Sequence, residues 1–155
     1  MTTSEGLATE FVFEAVIGVG AAVDLGPGAL GQRRMVPILS GSFEGPKIRG
    51  AVLPGGIDWQ LLLGDNVTVI EAHYTLQTDD GVLIRVINKG FRHGPGYVMR
   101  RLAKDLPVDP GEYYFRAAPA FDAPSGQYDW LNRNLFVSSG VRNAGSVVLR
   151  FYQIL

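Results

Sequence analysis

The sequence predicts an all-β fold, a single small antiparallel barrel of about eight to ten strands with one short helix. Three observations support this fold class. Short apolar runs with a two-residue period recur along the whole chain, 20 glycines and 9 prolines separate them, and one segment has helical spacing. With 155 residues, 46% of them hydrophobic, the chain is long enough for one core, and we predict one domain over residues 1–155.

Nine segments have the length and composition of strands. In the first, Thr9–Val19, the alternate residues Phe11, Phe13, Ala15 and Ile17 form one apolar face. The other eight segments follow the same reasoning. They are Arg33–Leu39, Lys47–Leu53, Ile57–Leu63, Val67–Thr78, Val82–Asn88, Glu112–Phe121, Arg133–Ser138 and Ser146–Ile154.

The turns between these segments indicate antiparallel neighbours. Thr78-Asp79-Asp80-Gly81 lies between two alternating apolar runs and predicts a type I′ hairpin, in which both central residues have positive φ. Gly64-Asp65-Asn66 joins two strands in the same way, and Gly26-Pro27-Gly28 is assigned to a loop. Tight turns of this kind favour an antiparallel sheet over βαβ units.

One helix is predicted over Tyr97–Leu106. Val98, Leu102 and Leu106 are spaced at i, i+4 and i+8, so they share one helical face. The segment follows Gly94-Pro95-Gly96 and stops before proline. A short helix between strands often covers one end of a barrel, and we expect that position here.

Charge and composition exclude several functions. The net charge is −1, with 14 basic and 15 acidic residues, so no strong field favours nucleic acid or membrane partners. The doublets Arg33-Arg34 and Arg100-Arg101 are interpreted as surface groups. Met1 to Glu10 lacks the features of a signal peptide, and no cysteine is present; both suit a cytoplasmic protein.

Cofactor and metal motifs are incomplete. Gly18-Val19-Gly20-Ala21-Ala22-Val23 begins like a dinucleotide fingerprint but lacks the third glycine and a following helix. No Walker loop or Gly-x-Ser-x-Gly elbow is found. His73 and His93 are the two histidines, a poor ligand set without cysteine. We therefore predict no cofactor and no metal.

Three blocks together resemble a known family. The first runs from Gly31 to Trp59 and includes Val52-Leu53-Pro54-Gly55-Gly56-Ile57-Asp58-Trp59. The second is Tyr74-Thr75-Leu76-Gln77-Thr78-Asp79-Asp80-Gly81, and the third joins Tyr113-Tyr114-Phe115-Arg116 to Tyr128-Asp129-Trp130-Leu131-Asn132. From about Phe11 to its end the chain is similar to the bacterial and fungal domain-of-unknown-function family numbered three-two-three-seven.

The resemblance implies a small antiparallel barrel, akin to the allene oxide cyclase and calycin-like barrels. It implies no established reaction, so the site residues are argued from their chemistry alone. One departure is His73, where the family is expected to carry an arginine before the tyrosine.

A barrel of this size can hold one small ligand, and three residues are catalytic candidates. Asp58 follows a tight turn, where it is either a general base with a raised pKa or a cap for the turn backbone. Tyr74 is either a proton donor to a carbonyl or a core tyrosine. Arg116 lies in an apolar strand, so it holds either a ligand anion or a protein carboxylate such as Asp58, Asp122 or Asp129.

The ligand-binding candidates are mostly aromatic. They are Trp59, His73, Tyr128, Trp130, Asn132 and Arg34. Tyr128, Trp130 and Asn132 share one parity and form a ligand wall if they face inward, or a surface ladder if they do not. His73 and Tyr74 face opposite ways, and His73 either pairs with Glu71 or binds ligand.

Two functions fit these residues. The first is a cofactor-independent isomerase, cyclase or lyase that uses acid/base chemistry on a small oxygenated, partly aromatic or unsaturated molecule. The second is a non-catalytic small-molecule binder or carrier. The expected partner is a small molecule in either case, and a homodimer or higher homo-oligomer is possible. At least three of Asp58, Trp59, Tyr74, Arg116 and Trp130 are expected to line one cavity or its mouth.

Overall fold

The structure is a computed structural model that describes residues 6–155. Within this range ten strands and one α-helix account for most residues. The strands are β1 Thr9–Val19, β2 Val23–Pro27, β3 Gln32–Glu44, β4 Arg49–Val52, β5 Ile57–Leu62, β6 Val67–Thr78, β7 Leu83–His93, β8 Tyr114–Asp122, β9 Phe136–Asn143 and β10 Ser146–Ile154. The helix α1 is Gly96–Ala103, and two short 3₁₀ helices are Pro110–Glu112 and Asp129–Arg133.

The strands form one closed antiparallel barrel. Their order runs from β1 through β10, β9, β8, β7 and β6 to β4 and β3, and β3 pairs again with β1. Eight strands close the barrel; the two additional strands are β2, which pairs with β3, and β5, which lies between β3 and β6 beyond the end of β4. The predicted all-β barrel with one short helix is confirmed.

Aromatic side chains fill one part of the barrel interior. Phe13 stacks on Phe151 with ring centroids 4.3 Å apart, and Phe121 meets Phe136 edge to face at 4.9 Å. These side chains come from four different strands or strand ends, because alternate residues of each strand face inward. These large rings pack densely and fill their part of the interior. The remaining space lies in the other part of the barrel, where polar side chains also face inward.

Glycine allows two strands to approach closely at Gly90 in β7. A Cβ atom at this position would overlap the carbonyl oxygen of Arg116 and lie 2.5 Å from the Cα of Ala117, both in β8. Because Gly90 has no side chain, β7 and β8 can approach each other closely at this point of the barrel. Glycine is required at this position because the two strands are close together, and not because of a positive φ.

One of the two predicted tight turns differs from expectation and the other agrees with it. Positive φ in the Asp79-Asp80-Gly81 hairpin occurs at Gly81, at 88°, and not at Asp80. The amide of Gly81 donates to the carbonyl of Thr78 at 2.8 Å, so the turn is followed by a left-handed glycine and is not type I′. By contrast, Asp65 and Asn66 both have positive φ, near 60°, and lie in the short connection between β5 and β6.

Several predicted boundaries were wrong. The segment assigned to a loop is part of β2, an edge strand that tolerates proline at its end. The strand predicted over Arg133–Ser138 begins later, at Phe136, because a 3₁₀ helix occupies the residues before it. The helix ends at Ala103, and Leu106 lies beyond it and is exposed, while Val98 and Leu102 are buried as predicted.

Candidate functional site

A cavity of about 460 Å³ opens into the polar half of the barrel. Strand register brings four lining residues side by side. Val36 in β3 lies opposite Asp58 in β5, and Ala72 in β6 lies opposite both Asp58 and Asn88 in β7. All four side chains line the cavity. The small side chain of Ala72 between Asp58 and Asn88 leaves space that a larger residue would fill.

A hydrogen-bonded chain holds the carboxylate of Asp58 in place. The guanidinium Nε of Arg34 donates to Oε1 of Gln60 at 2.6 Å, and Nε2 of Gln60 donates to Oδ2 of Asp58 at 2.7 Å. The three residues come from β3 and β5, adjacent strands of the barrel. Asp58 therefore does not cap the turn that precedes it; its side chain is fixed by another side chain inside the barrel.

Burial raises the pKa of Asp58 from its ordinary value to about 6. The hydrogen bond from Gln60 and the positive charges of Arg92 and Arg34 lower the pKa and offset part of this effect. The carboxylate is thus largely ionised at neutral pH, and its conjugate acid has a pKa close enough to neutrality for proton transfer.

Four buried polar atoms around the cavity make no hydrogen bond to any other group in residues 6–155. They are Oδ1 of Asp58, the hydroxyl of Tyr74, Oδ1 of Asn88 and Nε of Arg92. Buried polar atoms in proteins nearly always have partners, so four orphans on one cavity indicate the place of a bound molecule or water. Burial and the nearby charge of Asp58 raise the pKa of Tyr74, which keeps its phenol protonated.

The cavity mouth lies where two connections and the end of β9 meet. Gly20–Ala22 follow β1, Asp105 follows α1, and Arg142 lies in β9. Nη1 of Arg142 donates to the carbonyl of Leu102 at 2.7 Å, and Nη2 lies 3.5 Å from a carboxylate oxygen of Asp105. These contacts join the end of α1 to the β9–β10 hairpin, and Ala103, the last residue of α1, also lines the cavity.

Asp58, Tyr74 and Arg34, three of the candidates, line this cavity. Trp59 and Arg116 do not: Trp59 is exposed on the outer face of β5, as strand alternation requires when Asp58 faces inward. Arg116 is exposed on β8, where its guanidinium donates to the carbonyl of Phe115 at 2.9 Å and lies over the ring of Tyr114. Its expected position in the lumen was wrong, as was the expected pairing with a carboxylate.

The Tyr128–Asn132 segment does not form a wall of the cavity. It runs into a 3₁₀ helix, so the strand parity on which the wall depended does not apply. Tyr128 is buried and donates to Asp80 at 2.9 Å, Trp130 packs against Phe136, and Asn132 hydrogen-bonds both main-chain groups of Ala123 at 2.8 Å. Of the five residues expected to gather at one cavity, Asp58 and Tyr74 do so, and the expectation of at least three was wrong.

His73 faces outward from β6. Its Nε2 lies 2.7 Å from a carboxylate oxygen of Glu71, two residues back on the same face. The alternative that paired these two side chains is the one observed. Lys89 on β7 lies 3.4 Å from the other oxygen of Glu71, so the three side chains form a surface ion-pair network.

Several cavity residues were missed in the sequence. They are Gln60, Asn88, Arg92, Asp105 and Arg142. A signal existed for Gln60, which shares the parity of Asp58 in one strand. Arg92 was beyond reach because the predicted strand ended at Asn88, whereas β7 continues to His93.

No group of three or more His, Asp or Glu side chains that could hold a metal ion occurs in residues 6–155. The glycine-rich stretch that resembles a dinucleotide fingerprint ends β1 and supplies Gly20–Ala22 to the cavity mouth. Over the same described range, no helix is long and apolar enough to cross a membrane.

Fold and cavity together define a small antiparallel β-barrel protein with a cavity of small-molecule size, lined by polar and apolar side chains. The chain belongs to the protein family of unknown function DUF3237, whose family model matches residues 7–154. The resemblance drawn from the three sequence blocks is thereby confirmed.

Relatives in this family share nearly the whole chain. A UPF0311 protein of Rhodopseudomonas palustris is 40% identical over 149 residues, which are 96% of this chain and 97% of that protein. A crystal structure of a conserved protein of unknown function from the same species has a TM-score of 0.93 at 38% identity, covering 99% of this chain and all of the other. A β-barrel-like protein from Acinetobacter baumannii has a TM-score of 0.85 at 33% identity, with both chains fully covered.

A more distant structure shares the fold alone. It is described as an enzyme from Penicillium herquei, with a TM-score of 0.75 at 22% identity, covering all of this chain and 99% of the other.

Proposed function

We propose that this protein is a proton-transfer enzyme, an isomerase, cyclase or lyase that acts without a cofactor on a small oxygenated, partly aromatic or unsaturated molecule. One observation carries the proposal: Oδ1 of Asp58 and the hydroxyl of Tyr74, both buried and both without a hydrogen-bond partner in residues 6–155, line the same cavity. A carboxylate base and a phenol donor at one cavity are the groups that proton transfer next to a carbonyl requires.

Asp58 is the base in this mechanism. Its carboxylate has a pKa of about 6, so it is ionised at neutral pH and takes a proton from a carbon next to the substrate carbonyl onto Oδ1. The bond from Gln60 to Oδ2 holds the carboxylate so that Oδ1 is the oxygen left free. Orientation of this kind lowers the entropic cost of the reaction.

Tyr74 and Arg92 stabilise the charge that forms. When the substrate carbon loses its proton, negative charge develops on the carbonyl oxygen, and the protonated Tyr74 donates a hydrogen bond to it. The buried guanidinium of Arg92 takes the role proposed from sequence for Arg116, which lies outside the barrel.

The reaction class depends on where the electron pair of the broken C–H bond goes. Return of the proton from Asp58 to a different carbon gives an isomer, and expulsion of a leaving group gives a lyase product. Attack on the carbon of a second C=C or C=O bond in the same molecule closes a ring; the π electrons of that bond move to its other atom, which takes the proton from Asp58. Each outcome regenerates the Asp58 carboxylate or releases its proton with the leaving group. A structure described as an enzyme from Penicillium herquei has this fold, which supports the proposal.

The test is proton exchange in D₂O. A panel of aryl ketones and unsaturated ketones is incubated with the protein, and loss of the signal from protons next to the carbonyl is followed by ¹H NMR. We expect exchange with an apparent pKa near 6, lowered roughly 10²–10⁴-fold in Asp58→Asn. Arg116→Gln, on the outer face, is the control that keeps full exchange. Saturable binding of these compounds without exchange would contradict the enzyme and support the carrier function.

A further inference from the structure

The charges that line the cavity do not balance. Three arginines, Arg34 from β3, Arg92 from β7 and Arg142 from β9, face it, against two carboxylates, Asp58 and Asp105. The formal excess is therefore one positive charge among the described lining residues. Inside a barrel, where the local dielectric is low, an excess charge is costly unless an ion of opposite sign neutralises it.

Arg92 is the most deeply buried of the three cations. Its side chain is 4% exposed, its guanidinium lies 5.4 Å from the ring centroid of Phe115, and its Nε has no hydrogen-bond partner in residues 6–155. Burial first, and then the positive charges of Arg142 and Arg34, lower the pKa of Arg92 to about 10. It stays charged at neutral pH, next to two further cations.

The other two guanidinium groups are already engaged. Arg34 donates from Nε to Gln60, and Arg142 contacts the carbonyl of Leu102 and the carboxylate of Asp105. None of the ion pairs in residues 6–155 includes Arg92 or Arg34. Arg92 is thus the one of these three guanidinium groups that makes neither a hydrogen bond nor an ion pair within residues 6–155. A guanidinium binds an oxygen anion well because its donors match that geometry.

The rest of the wall determines what the anion is attached to. Apolar side chains cover the space beside the polar cluster; they are Ile17, Val36, Ile38, Ile70, Phe115 and Leu149. An excess of one positive charge matches one negative charge, and the carboxylates of Asp58 and Asp105 repel a dianion more strongly than a monoanion. The complementary molecule has an apolar body and one oxygen-centred negative charge.

We propose that the cavity binds a small monoanion, its charged oxygen on the guanidinium of Arg92 and its carbon skeleton against the apolar wall. This inference names the substrate class of the site and in that sense rests on the proposed function. An aromatic carboxylate is the simplest molecule with these properties, and its neutral amide has almost the same shape without the charge.

The test compares three probes, cinnamate, cinnamamide and phenyl phosphate, by thermal shift and isothermal titration calorimetry. A ligand that binds the folded state raises the melting temperature saturably. We expect this for cinnamate, with an affinity at least tenfold above that of cinnamamide and above that of the dianionic phosphate. Equal affinity for the acid and the amide, or no binding of cinnamate, overturns the proposal.

Variants locate the charge. Arg92→Gln should weaken cinnamate at least tenfold, while Arg116→Gln, the same change on the outer face of β8, should leave the affinity unchanged. Arg92→Lys keeps the charge and should retain part of the affinity, which provides a second variant if Arg92→Gln does not fold. Wild-type affinity in a folded Arg92→Gln, or the same loss in Arg116→Gln, contradicts the assignment.

Asp58→Asn separates this proposal from the proposed function. Removal of a negative charge near Arg92 should leave cinnamate binding equal or tighter, whether or not Asp58 is a catalytic base. Cinnamate binding with no proton exchange in the wild-type protein would refute the enzyme and leave the anion site standing. Loss of proton exchange in Asp58→Asn, together with equal affinity for cinnamate and cinnamamide, would support the enzyme and refute the anion site.

Discussion

The side-chain amide of Gln60 donates to Oδ2 of Asp58 at 2.7 Å and leaves Oδ1 without a hydrogen-bond partner among residues 6–155. The two residues are two positions apart in β5, so both side chains face the barrel interior. Gln60 in turn accepts from Arg34, which determines that its nitrogen, and not its oxygen, faces the carboxylate. The oxygen Oδ1 of Asp58 is therefore left free by a series of two hydrogen bonds that begins at Arg34 on the neighbouring strand.

Replacement of Gln60 should raise the pKa of Asp58. The bond from Gln60 favours the charged carboxylate, and burial, which favours the neutral acid, would act alone on that oxygen in Gln60→Leu. A hydrogen bond to a charged group contributes about 1.5 kcal/mol, so the pKa should rise by about 1 unit above the wild-type value. Titration of ¹³C-labelled aspartate by NMR measures it.

The matched control is Gln77→Leu, the same change at an exposed position on the outer face of β6. It should leave the titration of Asp58 unchanged. A pKa in Gln60→Leu equal to or lower than that of the wild type would mean that Gln60 does not stabilise the ionised form.

Asp58→Asn should stabilise the fold above pH 6. The folded pKa of about 6 lies above the ordinary aspartate pKa of 3.8, so the folded state binds the proton more tightly than the unfolded state does. Wild-type stability therefore falls as pH rises from about 4 to about 6 and stays lower above that range. Two pKa units correspond to about 3 kcal/mol, an upper limit for the gain of the neutral variant.

Urea denaturation of both proteins from pH 4 to pH 8 measures this difference in the free energy of unfolding. The advantage of Asp58→Asn should grow between pH 4 and pH 6 and then remain constant. A difference that is independent of pH would show that Asp58 does not titrate differently in the folded and unfolded states.

Part of the site was accessible from sequence through strand alternation. The pattern of β6 shows that Tyr74 and His73 face opposite ways, and the position of Asp58 beside an apolar strand indicates a buried carboxylate. The pattern of β8 is ambiguous because Tyr114 and Phe115 are both aromatic, so it does not show which face Arg116 takes. The packing of the whole barrel determines which face of β8 points inward, and the sequence of one strand does not contain that information.

The remainder of the site depends on contacts between distant parts of the chain. Arg142 meets α1 across about 40 positions, through the carbonyl of Leu102, and no local pattern encodes that distance. Arg92 was missed for a local reason: Gly90 interrupts the apolar alternation of β7, and glycine within a strand resembles a strand end. The tight contact of β7 with β8 that requires this glycine is visible only in the folded barrel.

Tyr74→Phe should lower proton exchange without loss of stability. The Tyr74 hydroxyl is buried and has no hydrogen-bond partner in residues 6–155, so its removal breaks no bond within that range and relieves the cost of an unpaired polar group. We expect an unchanged or higher free energy of unfolding, together with an exchange rate lowered about 10²-fold. Urea denaturation and NMR exchange measure the two effects separately.

Tyr113→Phe provides the contrast, because the Tyr113 hydroxyl is also in a buried residue but accepts from the main-chain amide of Arg142 at 2.9 Å. It should cost about 1–2 kcal/mol of stability, since a part-buried N–H loses its partner. An equal loss of stability in both variants would indicate that the Tyr74 hydroxyl has a structural partner.

Gly90→Ala should destabilise the barrel strongly. The added methyl would overlap the carbonyl oxygen of Arg116 and lie 2.5 Å from the Cα of Ala117, and both are backbone atoms that cannot rotate away. To accommodate it, β7 and β8 must separate, which weakens the hydrogen bonds that join them around Arg116. Overpacking of this kind costs about 1–3 kcal/mol or more, and for a chain of this size that corresponds to roughly 3–10 °C in melting temperature.

Gly64→Ala is the control, because a Cβ there would have no atom within 4 Å, and it should shift the melting temperature by about 1 °C or less. Because Gly90 lies between Asn88 and Arg92 on β7, the same change should also weaken cinnamate binding, which Gly64→Ala should not. Equal melting temperatures for the two variants would show that β7 and β8 have room for a side chain and that Gly90 is not required for closure.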